Sequence, residues 1–494
     1  MTIHELDQMV LAAGVITLCG ILAVRLSSRA GLPSLLIYLL MGVILGESFI
    51  GIEFSDAELA HSLGFMALAL ILAEGGLTTD WSEVRPSLPI GLALATLGVV
   101  VSVGVVACFA HFVLGMSWQL AVLLGAVTSP TDAAAVFSVL RVVPLPRRLT
   151  GALEAESGFN DAPTVVLVTL ISSGSHHSIL EGAGIVVGEL LLGCLIGLAA
   201  GYGGAWLMRR AALPASGLYP LAVLTLTFIA YSGSAVLHGS GFAAIYVAAL
   251  VLGNADLPHR AATRSFVDGL AWLAQIGLFV MLGLLLSPGR IGWSDVGIAV
   301  AAGLVLTLVA RPLSVLISSL VQPMRLNEMA FLSWAGLRGA VPVVLTTIPL
   351  AAGVTDSQDL FDIVFVMVVV LTAITGPTLP WVAKVLGVSR DSAPRGLELE
   401  VAPLERVAAD LLQVQIVPGS KLRGVEVGEL RLPTGASVSL IIRDGQTMSP
   451  KGRSVLRTGD TLLIVTPRAE RAATEGRLRQ VAARGRLAQW LEDR

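Results

Sequence analysis

Two polar stretches interrupt otherwise apolar sequence and carry residue types suited to ion chemistry. They are Thr128-Ser129-Pro130-Thr131-Asp132 and Glu154-Ala155-Glu156-Ser157-Gly158-Phe159-Asn160-Asp161-Ala162-Pro163. A carboxylate in apolar surroundings favours its neutral form, so it holds a proton unless a cation lies beside it. One carboxylate that binds either a proton or a metal ion, never both, couples opposite fluxes, provided the empty charged site cannot cross. Asp161 is the residue expected to bind either one, with Asp132 close by. Two arginines also stand in apolar sequence: Arg311 in Val309-Ala310-Arg311-Pro312, and Arg338 in Gly336-Leu337-Arg338-Gly339-Ala340-Val341-Pro342. A buried guanidinium without a partner is very unfavourable, so each needs a carboxylate or carbonyls. Glu156 is the obvious acid for one of them, and which one stays open. For Arg311 the simpler alternative is a side chain that snorkels to an interface.

The elements that position these residues follow from composition. The 494 residues are 55% hydrophobic and 14% charged, with a mean hydropathy of +0.82. A soluble chain of this size could not cover its surface with so few charges. The net charge of −3 comes with no basic face for nucleic acid. A helix needs about 20 apolar residues to cross the hydrocarbon core. That ruler gives thirteen spans, near 8–26, 32–50, 59–78, 87–114, 118–140, 151–173, 180–208, 217–237, 240–254, 267–286, 294–321, 328–351 and 358–386. Glu5 and Asp7 precede the first span, where a secretory signal would be basic.

Span length decides the depth of the acids. Asp132 stands nine residues before Arg141, or about 13 Å along a helix, near mid-membrane. Pro130 removes a backbone donor and disfavours helix at Ser129, so the fifth span is expected to break there. The simplest alternative for Asp161 is that it caps a helix starting at Ala162. From Pro163 to Ser173 is only 11 residues, so the sixth span must reach back toward Gly151 and carry Asn160 and Asp161 inside. Glu154, nearer the end, is expected to be a solvated loop charge. The twelfth span is broken at Gly339 and Pro342. It lies seven spans after the fifth, so the two run in opposite directions. Paired broken helices in inverted positions point to a transport site at mid-membrane.

The loops set the orientation. Those after odd-numbered spans carry Arg25 and Arg29; Arg85; Arg141, Arg147 and Arg148; Arg209 and Arg210; Arg260 and Arg264; Arg325; and Lys384 and Arg390. Those after even-numbered spans are acidic apart from Arg290. The positive-inside rule places the N-terminus outside and the C-terminal region in the cytoplasm.

Thr131-Asp132 in a broken fifth span, Glu156-Ser157-x-x-Asn160-Asp161 in the sixth and Gly336-Leu337-Arg338-Gly339 in the twelfth resemble the NhaP branch of the monovalent cation:proton antiporter superfamily. The resemblance covers residues 8–388. It implies an all-α polytopic fold of thirteen helices with inverted repeats, in a homodimer of the plasma membrane (the bacterial inner membrane). It implies that Asp161 is the shared proton and cation ligand, with Asp132, Ser157, Asn160 and the Thr131 backbone carbonyl at the ion, and that Glu156 acts through water or an arginine pair. The Asn160-Asp161 pair resembles the electroneutral branch, which exchanges one cation for one proton.

From Arg390 the sequence turns polar. Domains are expected at 1–388 for the exchanger, 389–399 for a linker, 400–468 for a small α+β domain and 469–494 for an amphipathic tail. Alternating segments Leu412–Val417, Ser437–Arg443 and Asp460–Val465 read as strands, with Leu422–Leu430 as a short helix. With Pro418-Gly419-Ser420, Leu422, Gly424, Leu456 and Gly459-Asp460, this stretch resembles a TrkA-C (RCK-C) domain. That resemblance implies a dimeric sensor of a small, nucleotide-like regulator or a bare dimerisation module, and it favours potassium over sodium. The tail, with Arg477, Arg479, Arg484 and Arg486, lies on anionic lipid, folds on the domain or stands as a simple solvated helix. Cys19, Cys108 and Cys194 are expected to be buried in apolar surroundings, with no disulfide or metal spacing. No cofactor is expected, only transported potassium or sodium and protons. A ligand-gated potassium channel lacks support, since no Thr-Val-Gly-Tyr-Gly-like filter is present. An enzyme reading has no nucleophile elbow or phosphate loop to rest on.

Overall fold

A computed structural model describes residues 3–485 except 31–32, 48, 53, 55, 141–142, 144, 175–177, 390–397, 405–408, 418 and 444. Arg141, His176, Arg390, most of the expected linker and the tail from Arg486 lie outside the described residues. The chain divides into two compact units, Met1–Ser389 and Arg390–Arg494.

The first unit is helical throughout. Its helices are α1 (Ile3–Ala30), α2 (Ser34–Leu45), α3 (Ala57–Thr78), α4 (Trp81–Phe112), α5 (Trp118–Thr128), α6 (Ala133–Val139), α7 (Arg147–Ser172), α8 (Ile179–Arg210), α9 (Leu218–Val236), α10 (Gly241–Asn254), α11 (Arg260–Leu285), α12 (Trp293–Ser318), α13 (Leu326–Trp334), α14 (Val341–Ala351) and α15 (Ser357–Val385). Seven of them are long and apolar enough to cross a membrane on their own. Helices α5 and α6 meet at a 48° bend and together are also long and apolar enough. Helix α7 is rich in polar residues, although its 26 residues exceed a crossing.

Irregularities recur in both halves of this unit. Non-helical stretches separate α5 from α6, between Thr128 and Ala133, and α13 from α14, between Trp334 and Val341. Helix α4 contains a π-turn at Leu94–Gly98, and α12 contains one at Leu306–Ala310. A π-turn widens the helix and frees a carbonyl. Here the Ser314 hydroxyl donates to Gly98 O at 2.8 Å and meets the Ser102 hydroxyl at 2.9 Å, tying α4 to α12.

Lipid explains one correction. Cys19 and Cys108 are exposed, and Cys194 is half-buried. An apolar residue in a membrane helix is as comfortable against acyl chains as in the core, so burial does not follow from apolar sequence.

The second unit is an antiparallel sheet of β1 (Glu398–Leu404), β2 (Ala409–Gln415), β3 (Ser437–Arg443), β4 (Gln446–Met448) and β5 (Thr461–Pro467), in the order β1-β2-β5-β3-β4. Leu422–Leu430 is not a helix; only a 3-10 turn forms, over Val427–Leu430. Helix α16 (Arg471–Arg484) packs Leu478, Val481 and Ala482 into the same core as Leu412, Val414 and Ile464. The described part of the tail therefore folds on the sheet, because those three residues share one helix face.

One ion pair anchors this unit. Asp460 accepts 2.8 Å hydrogen bonds from Arg443 Nε and Nη2, and 2.7 Å from the Arg457 backbone N–H. Burial works against the Asp460 charge, yet these donors and the two guanidinium charges hold its carboxyl below the usual range. Its stabilisation is complete above the unfolded-state value of about 4 and is lost as pH falls through the lower folded value. Asp460→Asn in the full-length protein should open residues 409–484 to protease at neutral pH, as acidification through the lowered folded-state value should for the parent. Unchanged protease resistance would contradict this.

Candidate functional site

The two non-helical stretches cross. The Asp132 backbone N–H donates to Leu337 O at 2.9 Å. Glycine makes the approach possible: a Cβ on Gly339 would overlap the Asp132 carboxyl group, and one on Gly336 would lie 2.9 Å from Arg311 Nε and 3.1 Å from Arg338 Nη1. Asp132 also caps α6, its Oδ1 accepting the Ala135 N–H at 3.1 Å. A half-helix thus begins in the interior with its positive end at the crossing.

Helix α7 runs past this crossing without interruption. Asp161 is therefore no cap; it lies mid-helix, with Pro163 inside the same helix. The Ser157 hydroxyl accepts the Ala133 N–H at 3.2 Å, and Asn160 Nδ2 donates to the Thr131 hydroxyl at 3.0 Å. These bonds pin α7 to the break in the fifth span. Asp161 is 5% exposed and Asn160 1%, yet Asp161 Oδ1 and Asn160 Oδ1 have no hydrogen-bond partner. Two buried oxygens left unpaired are costly unless something else satisfies them.

Glu156 pairs with Arg311. The contact is bidentate, Nη1 to Oε1 and Nη2 to Oε2, the latter at 2.8 Å, and both side chains are buried. Arg311 also donates to Leu332 O at 3.3 Å. It is fixed in the core and does not snorkel. Arg338 instead donates from Nη1 to Gly336 O at 3.0 Å, and its Nε is buried without a partner. Its own carbonyl accepts from the Thr372 hydroxyl at 3.1 Å. The crossing gathers Asp132, Glu156 and Asp161 with Arg311 and Arg338. Three carboxylates against two guanidiniums leave one negative charge when all are ionised.

Glu154 is a half-buried residue of α7, not a loop charge, because α7 starts earlier, at Arg147. Sequence reading missed Glu74 and Asp268, which line a cavity of about 420 Å³ beside α6 together with Ser34, Ser138 and Gln275. The available signal was an acid inside the third and the tenth span. It also missed Tyr246 on α10, which nothing in its apolar neighbourhood marks. Among the described residues no group of three His, Cys, Asp or Glu side chains could hold a metal ion.

Residues 14–385 match the family model for the sodium/hydrogen exchanger, transmembrane, and residues 411–478 match the TrkA-C domain. The chain is 35% identical over 482 residues to the K(+)/H(+) antiporter NhaP of Alkalimonas amylolytica, covering 94% of this chain and 82% of that one. It is 33% identical over 476 residues to the K(+)/H(+) antiporter NhaP2 of Shewanella oneidensis, with the same coverage. The Na(+)/H(+) antiporter ApNhaP of Aphanothece halophytica is 27% identical over 427 residues, covering 79% of this chain and 78% of that one. The sodium proton antiporter MjNhaP1 of Methanocaldococcus jannaschii shares the fold, with a TM-score of 0.65 at 22% identity, over 78% of this chain and all of that one.

Removing one partner of a buried ion pair leaves an uncompensated charge and costs about 3–5 kcal/mol. Glu156→Gln should therefore lower the melting temperature of the detergent-solubilised protein markedly. An unchanged melting temperature would mean that Arg311 does not depend on Glu156.

Proposed function

The chain belongs to the sodium/hydrogen exchanger family, and from that premise we propose that it is a secondary active, electroneutral antiporter that exchanges potassium for protons. The observation that carries this is the pair of buried, unpartnered oxygens on Asn160 and Asp161 beside the crossed helix breaks. Asp161 binds the proton or the cation. Asp132, Ser157, Asn160 and the Thr131 carbonyl form the rest of the ion site, and the Glu156–Arg311 pair holds α7 in place beside it. The transported cation is cargo, and its chemistry fits oxygen ligands of this kind.

Electroneutrality follows from the charge at the crossing. One proton or one monovalent cation cancels the single excess negative charge, so both loaded states are neutral and the empty state is not. A charged site is far costlier to move through the membrane interior than a neutral one. The empty carrier therefore stays put, which enforces one-for-one exchange.

Potassium is favoured because the relatives at 33–35% identity, matched over 94% of this chain, are named K(+)/H(+) antiporters. A sodium/proton antiporter is the second reading, favoured by the name of the 27% relative. The protein acts as a homodimer in the bacterial inner membrane, with its N-terminus outside. The TrkA-C domain lies in the cytoplasm and regulates exchange in answer to a small ligand.

The test is proton flux in proteoliposomes supplied in turn with potassium, sodium and lithium. Potassium should give the fastest flux, and Asp161→Asn should abolish it while leaving the protein folded. No flux with any cation would sink the antiporter reading, and retained exchange in Asp161→Asn would move the proton to another group.

A further inference from the structure

The antiporter reading gives Asp161 a proton to exchange but no route for it through packed helices. Glu154, Gly158 and Asp161 stand at positions i, i+4 and i+7 of α7, so they share one helix face. Tyr246 of α10 packs on that face. It is 3% exposed, its hydroxyl has no hydrogen-bond partner, and a Cβ on Gly158 would overlap that hydroxyl. The hydroxyl thus occupies the space of the side chain that Gly158 lacks, at the helix position between Glu154 and Asp161.

Side chains three or four positions apart on a helix have Cβ atoms about 5–6 Å apart. A hydroxyl at the middle position is then within one rotamer change of an acid on either side. Glu154 and Asp161 both lie close enough to act on it electrostatically. The nearby Thr79 hydroxyl donates to Gly75 O at 2.6 Å and keeps acceptor capacity, so it too acts on the Tyr246 hydroxyl. Phe159 holds the tyrosine ring edge-on, with centroids 5.2 Å apart. A buried hydroxyl without a partner is unfavourable, and here it stands where two acids can share it. Beyond Glu154 lie Asp80 and Glu83, both exposed, within its electrostatic reach.

We propose that Tyr246 relays protons between Glu154 and Asp161, resting on the antiporter reading above. In the inward hop the Glu154 O–H bond breaks and its proton goes to the Tyr246 oxygen. The Tyr246 proton moves at the same time to the Asp161 carboxylate. Glu154 is left ionised, Asp161 becomes the acid, and the tyrosine is neutral before and after. The outward hop reverses each transfer. Potassium does not use this path, so the relay acts on the proton limb alone.

The experiment compares two fluxes in proteoliposomes of full-length protein: potassium-driven proton flux, and exchange of radioactive rubidium for potassium at equal pH. Tyr246→Phe keeps the ring and its packing on Phe159. It should lower the ratio of proton-coupled flux to self-exchange at least about tenfold. Glu154→Gln should do the same, and the double variant should be no worse than either, as expected of residues in one chain. A wild-type ratio in Tyr246→Phe would overturn the relay, as would an equal fall in both fluxes or additive defects. Wild-type protein with no proton flux at all would instead overturn the antiporter reading on which the relay stands.

Discussion

Charge balance at the crossed helix breaks governs the rest of the structure. Three carboxylates and two guanidiniums meet where lipid surrounds the bundle, and the bilayer cannot tolerate much imbalance. The Glu156–Arg311 pair is internally neutral and closed, with both carboxylate oxygens engaged. Arg338 takes a loop carbonyl instead of an acid and so offsets a charge without binding it. What remains is one proton's worth of negative charge, and Asp161 holds the free oxygen nearest in kind to a ligand. On the proposed reading, coupling needs nothing beyond this arithmetic and a barrier to the empty state.

The fold exists to hold that imbalance. Continuous helices would satisfy every backbone group and leave no carbonyls or helix ends for an ion. The interruptions between α5 and α6 and between α13 and α14 free them inside the bundle, and the glycines at 336 and 339 let the two stretches touch. The π-turns in α4 and α12, joined through Ser314, support the crossing from the side.

Much of this was legible in the residues. Proline and glycine positions located both breaks, and the need for about 20 residues per crossing put Asp161 inside. What stayed hidden depended on packing. Glu156 had two arginines in reach along the chain, and only the fold brings Arg311 to it. The cysteines misled, and the tail stayed open, because apolar periodicity does not say which surface it meets: the outside of the bundle for Cys19 and Cys108, the sheet for Leu478 and Val481. Leu422–Leu430 lacked a continuous helical stripe, and its backbone instead bonds to the neighbouring strand connection, as in the Gly424 N–H to Leu456 O contact at 2.8 Å. Tyr246 was invisible because its only mark is a glycine on another helix.

The central claim is that one carboxylate holds either a proton or the cation, never both. The most direct measurement is the half-saturating potassium concentration for exchange as a function of pH, equal on both sides of the membrane. Simple competition predicts that it rises about tenfold for each unit of acidification once Asp161 is mostly protonated, with the maximal rate unchanged. A half-saturating concentration that stays constant while the maximal rate falls with acid would contradict the claim, because proton and cation would then occupy separate sites.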